Sequence, residues 1–254
     1  MPKDSTERLH MLLSIIIATL NAEQTFNQCL QSLRQQTNQN FEVIHIDGSS
    51  TDSTMEIASF FKDIQIKSYC EDDAGLYFAM NKGLSIASGE IISILNSDDF
   101  YLPSTVEKVI TYFNSNPETE VLCGNTLHLE RGLLRPDPMN LGMAMVPHPS
   151  TFIRSSCLSA SGNFDTKYRV AADYDLMLRI KASGATFSTI DETLAVMRAG
   201  GYSETHKKIS IKETLELQNI YNHWGRLKFI FYWTKYYVGT CFRERIPTLK
   251  KKAD

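Results

Sequence analysis

The sequence predicts an α/β fold with a mostly parallel central sheet and helices on both of its faces, on three observations. Short β-rich apolar runs alternate with segments of helical spacing. Several of these runs end in polar side chains. One of them, Ile91-Ile92-Ser93-Ile94-Leu95, passes directly into Asn96-Ser97-Asp98-Asp99. Strands alternating with helices imply right-handed crossovers, which bring the carboxyl ends of the strands to one edge, where open α/β sheets bind ligands. Adjacent carboxylates at such an edge repel each other unless a cation neutralises them, and a hard divalent ion carrying phosphate oxygens suits that task.

The elements follow in order. Residues 11–18 form the first strand, and Phe26, Cys29, Leu30 and Leu33 keep the spacing of one helix face. Residues 41–46 make the second strand, and Ser50 and Thr51 are placed to cap a helix running to about Lys62. Residues 64–68 are a short third strand, 76–87 a helix in spite of Gly83, and 90–95 the fourth strand. Thr19 and Asn21, Asp47, and Asp98 with Asp99 then share one sheet edge. A helix follows Pro103 to about Asn114; looser strands are expected at 121–129 and 146–154, and a helix at 173–182 stops at Gly184. No internal repeat or low-complexity linker interrupts the chain, which parses as one domain over 1–205 and an extension over 206–254.

With 254 residues, 43% of them hydrophobic, the chain can bury a large core. Its charge is uneven: residues 200–254 hold 11 Lys/Arg against 5 Asp/Glu, whereas residues 1–199 hold 15 against 24. An acidic body argues against nucleic acid as a partner, and a basic tail suits an anionic membrane surface. The five cysteines are scattered without a C-x-x-C pair, which fits a reducing compartment and not a disulfide framework or zinc site. The segment 12–18 is too short for a secretory core, so a cytoplasmic location is expected.

The common fingerprints are missing. There is no G-x-G-x-x-G, no G-x-x-x-x-G-K-[ST], no H-E-x-x-H and no G-x-S-x-G. Three ordered strings carry a resemblance instead: SIIIATLNAEQTFNQCLQSLRQQTNQNFEVIHIDGSSTDST (14–54), DAGLYFAMNKGLSIASGEIISILNSDDFY (73–101) and FDTKYRVAADYDLMLRI (164–180). Together they are similar to the inverting family 2 glycosyltransferases of the GT-A fold, and close to those of bacterial exopolysaccharide synthesis. The similarity spans roughly 12–205.

The resemblance implies a set of roles. Asp99 would be the ligand of Mg2+ or Mn2+ and Asp98 would face the ribose of a nucleotide-sugar donor, UDP-, GDP- or dTDP-linked. Thr19 and Asn21 lie at the same edge, and Asp47 would help to hold the base. Many relatives carry a second Asp where this chain has Gly48. Asp73, Asn81 and Lys82 would close over base and phosphates, with Phe78 replacing a frequent Asp, and His148 would approach the diphosphate. Asp173 takes the place of the catalytic base, although the Glu that often precedes it is Ala172 here, and Gly200-Gly201-Tyr202-Ser203 resembles a loop that closes on donor. One base suffices for a single displacement, unlike the carboxylate pair of glycoside hydrolases.

The tail from 224 to 242 mixes Phe229, Phe231, Tyr232, Trp233, Tyr236 and Tyr237 with Lys228 and Lys235, and ends in Lys250-Lys251-Lys252. It is too charged to span a bilayer; it suits an interfacial helix, or one packed on the body or on a second copy in a homo-oligomer. The expected activity is metal-assisted transfer of a sugar to a saccharide or polyprenyl-linked acceptor at the inner face of the membrane. A sugar nucleotidyltransferase is disfavoured, because residues 18–23 read Ala-Thr-Leu-Asn-Ala-Glu where that class carries a glycine-rich basic loop. A non-catalytic nucleotide-sugar binding subunit is the remaining alternative, suggested by Gly48, Phe78 and Ala172.

Overall fold

The computed structural model describes residues 11–137, 141 and 146–221. They fall into two compact units that divide between Glu213 and Thr214. The first half contains β1 (Leu13–Thr19), α1 (Phe26–Arg34), β2 (Phe41–Asp47), α2 (Thr54–Phe60), β3 (Ile66–Cys70), α3 (Leu76–Ile86) and β4 (Ile91–Ile94). Then come β5 (Phe100–Tyr101), α4 (Thr105–Ser115), β6 (Val121–Glu130), β7 (Leu133–Asp137), β8 (Thr151–Arg154) and α5 (Ser155–Ser161). The described chain closes with α6 (Ala172–Ala182), β9 (Phe187–Arg198), α7 (Tyr202–Thr205) and α8 (Lys207–Tyr221).

The sheet order is β3-β2-β1-β4-β8-β6-β9-β5, with β7 paired to β6. The first four strands in that order are parallel, and Thr19 lies in register with Asp47. Strand β8 reverses direction against β4 and β6, so the second half of the sheet is mixed. β1 and β2 are buried along their whole lengths, which is why β1 reads as a nearly continuous apolar run, while β2 carries Glu42, His45 and Asp47 buried among its apolar residues.

Alternation along β1 sends successive side chains to opposite faces. Leu13, Ile15 and Ile17 join Phe26, Leu30 and Leu33 of α1 and Val106, Val109 and Phe113 of α4 in one core. Ile16 points the other way, to α3. A Cβ on Gly83 would stand 2.5 Å from Ile16 Cγ2, so the glycine that looked out of place in a helix is what lets α3 lie close on the sheet.

Several boundaries differ from the sequence expectation. The helix expected from Ser50 begins only at Thr54, because Ser50 and Thr51 are bonded into a loop against Asp47 and Asn21. His148 does not lie in a strand. Pro147 and Pro149 flank it, and a proline withholds the N–H that a ladder needs; His148–Ser150 is a single 3-10 turn before β8. The long β9 and the β6–β7 hairpin were not anticipated, and the turn at Gly200-Gly201 leads into the short α7. The aromatic tail at 224–242 lies outside the described residues. Among the described residues no helix is long and apolar enough to cross a membrane.

Candidate active site at the strand ends

At the end of β2, Asp47 is fully buried. Its Oδ2 accepts hydrogen bonds from the hydroxyls of Thr19 (2.6 Å) and Ser50 (2.6 Å), and its Oδ1 from the N–H of Ser50 (2.7 Å) and the thiol of Cys70 (3.5 Å). Burial alone would raise this carboxyl, but the Ser50 hydroxyl, Thr19, the Ser50 N–H and Cys70 outweigh it and hold it below its ordinary value. With both oxygens engaged by the protein, the side chain shapes the 48–53 loop at the end of β2. Thr19 is bonded the same way and also meets His45 Nε2 at 2.8 Å. Asn21, with φ of 51°, accepts the Thr51 N–H through Oδ1 at 2.9 Å.

The side chain that faces outward here is Asp73. Its Oδ1 accepts the Gly75 N–H at 2.7 Å, and its Oδ2 lies 3.0 Å from where a Cβ on Gly48 would be. The carboxylate of Asp73 thus takes up space that a side chain at position 48 would need.

Beyond β4 the chain turns at Asn96, whose carbonyl accepts the Asp99 N–H at 3.0 Å. Asp99 is 1% exposed. Its Oδ1 accepts the backbone N–H of Arg198 at 3.0 Å, and its Oδ2 is buried without a hydrogen-bond partner among the described residues. Burial, and next the neighbouring Asp98, push its pKa well above the carboxylate range, against a weaker pull from Arg198. A buried oxygen of this kind beside a second carboxylate is in deficit of positive charge and fits a divalent cation. Among the described residues no three side chains of His, Cys, Asp or Glu are grouped to hold a metal unaided, so Asp98 and Asp99 would leave much of a cation's shell to substrate oxygens and water. Neither caps α4, whose N-cap is Ser104.

His148 joins this turn to α6. The Asn96 side-chain amide donates to its Nε2 at 2.8 Å; the same nitrogen is 3.9 Å from Asp99 Oδ2, and Nδ1 is 3.9 Å from Asp173 Oδ2. Asp173 is the second residue of α6, not its N-cap, which is Ala171. Its Oδ1 accepts the Tyr174 N–H at 2.9 Å and faces the Tyr77 hydroxyl at 3.2 Å, which leaves Oδ2 as the oxygen turned toward His148. Asp175 is buried and paired with Arg179 at 2.8 Å, so Asp173 is the available carboxylate of the two.

The Asn81 side chain is used twice by the backbone of Phe164, donating to its carbonyl and accepting its N–H, both at 2.9 Å; it clamps the loop before α6. Lys82 is ion-paired with Glu71, with its ammonium 5.7 Å from the centre of the Tyr69 ring. Asn81 thus ties α3 to the loop before α6, and Lys82 ties it to the segment after β3.

The structure therefore brings Asp98, Asp99, His148 and Asp173 together, with Asp73 beside the end of β2. Sequence reasoning passed over Asn96, Tyr77 and Arg198. The Arg198 Nε is buried without a partner, its Nη2 reaches Gln28, and the following turn brings Gly201 to Asp98. Arg198 closes β9, an element with no clear apolar period, and this hid it.

Residues 14–158 match the family model described as Glycosyl transferase family 2. The Escherichia coli protein named UDP-Glc:alpha-D-GlcNAc-diphosphoundecaprenol beta-1,3-glucosyltransferase WfaP is 30% identical over 223 residues, covering 82% of this chain and 86% of that one. A PGL/p-HBAD biosynthesis glycosyltransferase of Mycobacterium bovis is 29% identical over 176 residues, 66% of this chain and 69% of its own. Among solved structures, S. aureus TarS 1-349 in complex with UDP superposes with a TM-score of 0.70 at 19% identity, over 83% of this chain. The mannosyltransferase PcManGT from Pyrobaculum calidifontis, in complex with GDP-Man and Mn2+, does so with 0.66 at 17% identity, over 84% of this chain. The present chain spans 65% of each of those two, and at such identities the likeness is one of fold.

Proposed function

The chain belongs to glycosyl transferase family 2, and from that premise we propose that it moves a sugar from a nucleotide-sugar donor to a lipid-linked saccharide by one inverting displacement. The observation that carries the reading is the placement of His148 3.9 Å from both Asp99 and Asp173, which sets a leaving-group half and an attacking half of a site side by side. The name of the E. coli relative supports a UDP-linked donor and a polyprenyl diphosphate acceptor, and the UDP complex of a protein of like fold agrees with that donor.

In this mechanism Asp98 faces the ribose of the donor, and the buried, unpartnered Oδ2 of Asp99 would hold Mg2+ or Mn2+. Such an ion, when bound, neutralises charge gathering on the departing diphosphate. Asp173 Oδ2 accepts the proton of the acceptor hydroxyl as that oxygen attacks the anomeric carbon, and the bond to the diphosphate breaks on the opposite face. Tyr77 and the Tyr174 N–H hold Oδ1 so that Oδ2 faces the incoming hydroxyl. The extension over 206–254 would serve contact with the anionic membrane surface where a lipid-linked acceptor resides.

The test is Asp173→Asn assayed with UDP-glucose and a GlcNAc-diphosphate lipid. UDP binding should persist while transfer falls at least about 100-fold; transfer at the parent rate would reject Asp173 as base. In parallel, Asp99→Asn should abolish the tightening of UDP binding by Mn2+, and undiminished tightening would reject the metal site.

A further inference from the structure

Helix α6 begins without a cap of its own. Ala171 occupies its N-cap and offers no side-chain acceptor, although the first amides of a helix need partners from outside it. The three amides that lead into the helix, those of Arg169, Val170 and Ala171, are held from α8. Glu213, 9% exposed, accepts the N–H of Arg169 through Oε1 at 2.9 Å, and those of Val170 and Ala171 through Oε2 at 2.9 and 3.0 Å.

Three consecutive amides aimed at one carboxylate form an anion-binding nest, and a negative charge there is further favoured by the α6 dipole. Burying a carboxylate is costly unless charge-assisted hydrogen bonds satisfy it, and these three do. The same peptide is gripped from its other end, since the Val170 carbonyl accepts the Tyr77 hydroxyl at 2.7 Å. Asp173 follows two residues after the last of the three amides. The start of α6, and hence the direction of the Asp173 side chain, is thereby set by a residue 40 positions later in the chain.

We propose that Glu213 is a positioning residue for sugar transfer, fixing the first turn of α6 so that Asp173 Oδ2 faces the acceptor hydroxyl. This rests on the reading of Asp173 as the base. Glu213→Gln keeps the size of the side chain but turns an NH2 group against at least one amide donor. Misplacing a reacting group by a fraction of an ångström to one ångström costs up to about 100-fold in rate. The expected result is therefore a fall in kcat of roughly 10- to 100-fold, with KM for UDP-glucose and the Kd for UDP changed by less than about twofold.

The decisive comparison is a double-mutant cycle in the full chain. If Glu213 acts through Asp173, Glu213→Gln added to Asp173→Asn lowers kcat no further. Losses that multiply in the double variant, or a KM that rises with kcat unchanged, would overturn the proposal, as would a kcat within twofold of the parent. Should the Gln variant not fold, Glu213→Asp, which keeps the charge and shortens the reach, is read by the same criteria. The two readings fail separately: unimpaired transfer in Asp173→Asn alone rejects the base, whereas impaired Asp173→Asn with unimpaired Glu213→Gln rejects only the positioning role.

Discussion

The Tyr77 hydroxyl lies 3.2 Å from Oδ1 of Asp173, so an α3 residue in a segment whose resemblance pointed to donor binding reaches the residue read as the base. Burial, and next the charge of Asp173, push the Tyr77 pKa well above its ordinary value, which keeps the group a proton donor. Tyr77→Phe should retain the ring packing on Phe164, whose centroid is 5.3 Å away. It removes one net hydrogen bond, worth about 1 kcal/mol. The expected outcome is a modest loss in thermal stability together with a fall in kcat larger than any change in KM for donor. A raised KM with unchanged kcat would return Tyr77 to the donor side.

Asp47 gives a test of stability against recognition. Four protein donors converge on its buried carboxylate, two on each oxygen, so Asp47→Asn must set an NH2 group against one pair of donors. The expected cost is about 1–3 kcal/mol of unfolding free energy, read as a lower urea midpoint, with donor binding weakened through the 48–53 loop. A residue that only touched the base would leave the midpoint unchanged, and that outcome would count against this account.

Gly83→Ala sets two effects of opposite sign against each other. Replacing glycine inside a helix gains up to about 1 kcal/mol in propensity. The added Cβ meets Ile16 Cγ2 at 2.5 Å, inside a fully buried strand that has little room to yield, and overpacking of this kind costs about 1–3 kcal/mol. The clash should win, giving a less stable protein in urea titration. Ile16→Val in the same background should not recover the loss, because valine keeps both γ carbons and with them the Cγ2 that the new methyl group meets.

These contrasts show what was legible in the sequence. The parallel half of the sheet was, because strands buried on both faces are predominantly apolar, and because the polar groups that end β1, β2 and β4 fall on one edge whatever the loops do. The motifs drew attention to Asp98, Asp99 and Asp173, and the fold brings Asp99 and Asp173 each to 3.9 Å from His148. The rest depended on contacts between residues far apart in sequence. β9 runs through Ser188, Thr189, Asp191, Glu192 and Thr193 and has no clean period, since its fully buried apolar residues are confined to Leu194, Ala195 and Val196. Asn81 and Glu213 resemble ordinary polar helix residues until the loop they hold is in place, and nothing local announces the 83- and 42- to 44-residue separations across which they bond.

His45 gives the pH dependence its sign. It is fully buried on β2 between Thr19 and Ser68, and burial, opposed only in part by Asp47, lowers its pKa from 6.5 to about 4. Between those values the unfolded chain binds the proton and the folded one does not, so unfolding is favoured as pH falls. The stability is complete above pH 6.5 and declines toward pH 4, by about 3 kcal/mol for this group alone. Glu42 adds a second stage. Burial would raise its carboxyl, but Lys67 and then Ser14 and Ser88 hold it at about 2 against an ordinary 4.5, so its contribution is kept down to about pH 4.5 and lost below it. Urea titrations at a series of pH values should show the decline in this order. His45→Gln, which keeps polar contacts but does not titrate, should flatten the upper stage and leave the lower one; an unchanged slope between pH 6.5 and 4 would show that His45 is protonated within the fold.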